Sequence, residues 1–152
     1  MANTQSICTQ FKVDAWNGLH AFGPSVIRAA TTKDVYKAAL YLVSATRGAA
    51  DTVYSVTGEV SGTNYTAGGV VVTTATAPAT TGTSGFFTPS ASITFTNVTL
   101  ATAFDALLIY NDTSATKLAV GVFTFGSQTV TAADFTLTMP VNDATTGLIR
   151  ST

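Results

Sequence analysis

One histidine, one cysteine and eight carboxylates are the groups in this chain with reactive chemistry to offer, and their positions limit what that chemistry is. His20 has no second imidazole and Cys8 no second thiol, so a transition-metal site lacks its nitrogen and sulfur donors. The lone thiol also excludes an intrachain disulfide and a CxxC redox pair. A general base at position 20 needs a nucleophile and an orienting acid, and no spacing supplies them. His20 therefore reads as structural or solvent-facing. Asp14, Asp34, Asp51, Glu59, Asp105, Asp112, Asp134 and Asp143 are dispersed, with no DxDxDG loop to converge oxygens on calcium and no marked pair for glycoside hydrolysis. The sequence predicts no catalytic residue, no metal and no cofactor.

Other short patterns resolve in the same way. Gly68-Gly69 precedes three valines and no Lys-Thr or Lys-Ser, so it reads as a turn into a strand and not as a phosphate loop. Asn64-Tyr-Thr, Asn97-Val-Thr and Asn111-Asp-Thr match the glycosylation triplet, which a chain with thirty threonines produces by chance. The seven Lys and Arg residues are scattered and the net charge is −1, so no basic stripe exists for nucleic acid. Residues 1–10 lack the basic and apolar regions of a signal peptide, and no stretch reaches the roughly 20 apolar residues of a membrane helix. The expectation is a chain made in a cytoplasm with no membrane partner.

The elements that hold these residues follow from composition and period. Only 10% of residues are charged, against about 25% in an ordinary domain, and threonine fills the gap. Threonine is β-branched, so it suits a pleated sheet better than a helix. Within 4–16, Ile7, Phe11 and Ala15 recur at helical spacing, which predicts one short amphipathic helix capped by Asn3 or Thr4 and stopped at Gly18. An extended connection follows over 19–32. Short apolar runs then predict strands over 35–44, 52–60, 70–75, 92–98, 105–110, 117–125, 134–139 and 147–150. The fold class expected is all-β, a jelly-roll-like antiparallel sandwich of about eight strands, with 1–18 as a helical arm and 19–152 as the sandwich domain.

Two of those strands, 92–98 and 134–139, alternate apolar with Thr or Ser and predict one wet face. Three others, 35–44, 105–110 and 117–125, are apolar on both faces. Their second face needs a cover, either the N-terminal helix with Ile7, Phe11 and Trp16 or another subunit. The Thr/Gly/Pro-rich stretch 76–89 reads as a loop too long for a simple hairpin turn. Phe86 and Phe87 at its end are either contact residues or a plug for the open end of the sandwich. Ile7, Phe11, Trp16, Phe86 and Phe87 are thus the candidate partner-binding residues, since aromatic anchors dominate interfaces.

Two blocks carry a resemblance: KAALYLVSATRGAADTVYSVTGEVSGTNYTAGG at 37–69 and LLIYNDTSATKLAVGVFTFGSQTVTAADFTLTMP at 107–140. Together with the ending at 142–150 they resemble small virion structural proteins of tailed bacteriophages, of the capsid decoration or cement type. The resemblance implies a non-enzymatic component on the capsid exterior. Its partners would be the major capsid protein and copies of itself, as a homodimer or homotrimer. The alternative is a tail, neck or fibre module that binds another tail protein, or a host-surface glycan stacked on Tyr54, Tyr65 or Tyr110. A small hydrolase would need His20 gathered with an acid and a serine.

Overall fold

A computed structural model of the chain describes residues 2–8, 11, 14–15, 18–23, 33–82 and 84–151. Among them the backbone forms β1 (Ser6–Ile7), β2 (Tyr36–Leu42), β3 (Val70–Val72), β4 (Ala79–Thr81), β5 (Ser84–Phe87), β6 (Ile93–Asn111), β7 (Ala119–Leu137) and β8 (Ile149–Ser151). Five strands make one antiparallel sheet in the order β1-β7-β6-β2-β3, and three make a second in the order β4-β5-β8. The all-β expectation holds, and two antiparallel sheets suit a sandwich-like arrangement.

The β6–β7 hairpin is the spine of the large sheet, and each arm runs 19 residues. The sequence places breaks between 98 and 105 and between 125 and 134, where alternation fails. The chain instead continues through these stretches with register shifts, and Asn97 and Ala132 take φ values of 49° and 46°. A bulge changes which residues face inward without ending the strand, so the lost period marks a bulge and not a turn. The hairpin closes where Asn111 Oδ1 accepts the N–H groups of Thr113 and Ser114 at 3.0 and 3.1 Å. Lys117 and Lys37 flank Asp112, and the hydrogen bond from Lys117 above all holds its carboxyl below the usual range.

The middle of this sheet is dry on both sides: Leu40, Tyr41, Leu107, Leu108, Tyr110, Val120 and Val122 are all buried. Residues 43–69 of the same chain cover one of these faces. Tyr54 N–H donates to Lys117 O beside β7, and Val60 N–H donates to Leu40 O on the outer edge of β2. Between those points the segment crosses over β6, where Tyr54 stacks on Tyr110 with centroids 4.6 Å apart. A segment that crosses strands cannot run beside one of them. The strand expected over 52–60 is accordingly reduced to single bridges, Val53 with Leu118 and Glu59 with Tyr41.

The N-terminal helix expected over 4–16 is corrected at its start, while 9–10, 12–13 and 16 of that range lie outside the described residues. Ser6 and Ile7 pair with Val122 and Gly121 as β1, and Cys8 N–H donates to Val120 O. The open edge of β7 offers backbone partners at this point, and Gly121 has no side chain to hold the incoming segment away. Phe11, Asp14 and Ala15 have helical backbone, but no helix is delimited among the described residues. Asn3 does not cap a helix: its amide donates to Leu42 O at 3.0 Å and to the Asp105 carboxylate, and its Oδ1 accepts Arg47 N–H. The stretch 76–89, expected as a loop, contains the β4–β5 hairpin, with Gly82 in its turn at φ 60° and β8 adding to the far side of β5.

Gly69 marks where the covering segment returns to the sheet. Its φ is +72°, and a Cβ there would lie 1.8 Å from Ala38 O, whereas a Cβ on Gly82 would meet nothing within 4 Å. Gly69→Ala is expected to lower unfolding free energy by about 3 kcal/mol, and Gly82→Ala by only about 1 kcal/mol for its left-handed backbone. Urea midpoints of the two variants test the difference, and equal midpoints would contradict this packing.

Candidate interaction site

A cavity of about 870 Å³ lies between β1, at the rim of the large sheet, and the β4-β5-β8 sheet. Four of the five residues singled out from sequence line it: Ile7, Phe11, Phe86 and Phe87. The fifth, Trp16, lies outside the described residues, as does most of the extended connection expected over 19–32. Ile7 is half-buried on β1, while Phe11, Phe86 and Phe87 are buried, at 5%, 8% and 4% exposure. Phe11 follows β1 through a turn in which its N–H donates to Cys8 O at 3.1 Å. Its ring meets Phe22 edge-on at 5.8 Å, and Phe22 in turn packs on Phe87 at 4.8 Å. Of the two readings of Phe86 and Phe87, the one that folds them back onto the sandwich matches their burial. These rings build a concave wall and do not project as free anchors.

His20 stands behind that wall, buried, with its ring 4.8 Å from Phe11. Its Nε2 is 3.9 Å from Asp14 Oδ2 and its Nδ1 is 3.5 Å from the Asn111 amide, which donates to Asp34 Oδ2 at 2.9 Å. Acids thus do approach the histidine, but no serine joins them among the described residues. Nor do three His, Cys, Asp or Glu side chains converge among the described residues as a metal site requires. The cluster ties the Leu19–Phe22 segment to the end of β6, since Asp34 Oδ2 also accepts Ala21 N–H at 3.0 Å.

Glu59 anchors the covering segment, a role sequence reading missed. The buried carboxylate accepts Tyr54 OH at 2.5 Å, Tyr65 OH at 2.6 Å and Gly68 N–H at 2.7 Å. Burial, reinforced by the bonds to Glu59, holds both phenols well above the usual range. Tyr110 is pushed up to about 12 by burial, with Asp112 and Glu59 nearby adding to it. Tyr65 also stacks on Phe95, at 5.8 Å, and Tyr110 is only 1% exposed. The three tyrosines considered as sugar platforms therefore spend their faces and hydroxyls inside the protein. A carboxylate far from any cation in sequence gives no sign that phenols will surround it.

No family model matches the chain, and neither a curated protein nor a solved structure matches it.

Two outcomes follow from these environments. Glu59→Ala leaves two phenols and one N–H without an acceptor and is expected to cost about 3 kcal/mol or more, and Glu59→Gln distinctly less, in thermal or urea melts. Burial, with Asp51 nearby, pushes the Cys8 thiol up to about 12. Its reaction with a disulfide reagent near neutral pH is therefore expected to be slow in the native protein and complete in urea; rapid native labelling would contradict the burial.

Proposed function

We propose that the chain is a tailed-bacteriophage virion structural protein of the capsid decoration or cement type, not an enzyme, which binds the exterior of the assembled major capsid lattice as a homodimer or homotrimer. The resemblance of residues 37–69 and 107–140 to such proteins motivates the reading. The observation that carries it is the outer edge of β7. Thr52, Cys8 and β1 cover this edge only as far as Val122. Beyond that point β7 runs on to Leu137 with no strand beside it on that side among the described residues. Phe123, Phe125, Phe135 and Leu137 remain half-buried there, and Asp134 is the only charged side chain.

An unpaired, nearly uncharged strand is a template for another chain, and soluble monomers normally guard such an edge with Lys or Pro. The apolar faces that sequence reading assigned to a neighbour are mostly covered internally, so the contact moves from the sheet centre to this distal arm. A jelly-roll wiring is kept here only as two antiparallel sheets, because strands consecutive in the chain, β2–β3, β4–β5 and β6–β7, pair directly with each other. Binding of this kind stabilises a shell by mass action, since free energy is added only to the assembled lattice.

Sedimentation of the purified chain is expected to give a dimer or trimer. Thr129→Lys with Thr131→Lys, both on exposed edge positions, is expected to weaken association at least about tenfold without altering the circular dichroism. A map of the virion is expected to show the protein on the icosahedral shell. Density on the tail or neck, or a monomer that binds no phage surface, overturns the proposal.

A further inference from the structure

We infer that the cavity between β1 and the β4-β5-β8 sheet is a binding site for an uncharged, largely apolar small molecule. Native interiors pack at crystal-like density and leave few voids larger than a water molecule. This space measures about 870 Å³, inside the roughly 300–1,000 Å³ of small-molecule sites. Part of it exists because Gly85 has no side chain: a Cβ there would meet nothing within 4 Å. Gly85 has no left-handed φ to account for a glycine, so its effect on the fold is the room it leaves. Ala49 makes a similar concession at the exposed rim.

The wall sets the ligand class. Ile7, Phe11, Phe22, Phe87 and Ile149 present apolar and aromatic surface, and no Lys, Asp, Glu or His is among its described residues. Arg150 borders the cavity through its strand, but it pairs with Phe86, while Gly85 and Phe87 pair with Ser151 and Ile149. Side chains alternate across a sheet, so the guanidinium belongs to the opposite face, where Nη1 donates to the carbonyls of Ala144 and Thr145. Among the described wall residues a charged ligand finds no counter-ion turned toward it, and burying a charge unpaired is strongly unfavourable. Flat rings and aliphatic side chains, with no charge turned inward among the described wall residues, fit a neutral aromatic or alkyl body.

The inference is independent of the virion reading and is tested on the isolated full chain. Prodan, an uncharged naphthalene ketone whose emission reports both polarity and hydrogen bonding, is expected to bind saturably, one per chain, with a blue shift. Gly85→Phe is expected to weaken binding by about tenfold or more with circular dichroism unchanged, and Ala49→Trp at the rim makes the same test should that variant misfold. Competition separates the ligand classes: 1-dodecanol is expected to displace the dye, and dodecanoate, ionised near neutral pH, to do so at least about tenfold less well. Absence of saturable binding, indifference to both filling variants, or equal displacement by the anion overturns the assignment.

Discussion

Between Phe104 and Tyr110, β6 has no wet face. β2 and β7 satisfy its backbone on either side, and each side chain in that stretch except Asp105 is buried. A strand in this position persists only where apolar groups lie over both faces, at a gain of about 25 cal/mol for each Å² removed from water. The other elements are arranged around that requirement. The 43–69 segment crosses the sheet on one face, and the His20, Phe22 and Tyr36 rings stack at the end of β2. The small sheet closes over Phe22 with Phe87.

The crossing segment has little regular hydrogen bonding of its own, so its position depends on specific polar contacts. Glu59 gathers Tyr54, Tyr65 and Gly68, while Tyr41 OH reaches Ser55 O at 2.5 Å and Arg47 Nη2 reaches Thr57 O at 2.7 Å. Each bond of such a network, made in a poorly screened interior, holds its partners more firmly than it would in water. Tyr65 OH donates to Glu59 and also accepts Leu40 N–H at 3.0 Å, which joins the segment directly to β2.

Threonine content and short apolar runs were enough to read the fold class, and the two-faced composition of β2, mid-β6 and early β7 correctly marked the core. The sequence did not say what lies above that core. A cover can be a helix, a neighbour or an irregular segment, and 52–60 has the period of a strand although it crosses strands. The N-terminal spacing of Ile7, Phe11 and Ala15 is helical, yet an available sheet edge at Gly121 captured Ser6 and Ile7. For the candidate site, apolar spacing and aromatic identity singled out Ile7, Phe11, Phe86 and Phe87. The feature that helps make their surroundings hollow, Gly85, is a common small residue whose meaning exists only after folding.

Four of the five register shifts in the long hairpin alternate between its arms: β6 carries the extra residues between Phe95 and Val98 and between Leu100 and Phe104, and β7 between Val130 and Ala133 and between Thr124 and Gln128, while the fifth, at Ile109/Tyr110 beside the turn, adds one more to β7. From Ile93 to Ile109 slack on one arm is taken up on the other, and the ribbon coils without drifting out of alignment over that length. Its outer margin presents amide groups at uneven intervals, and a bulged margin is a poorer template for continued strand addition than a flat one.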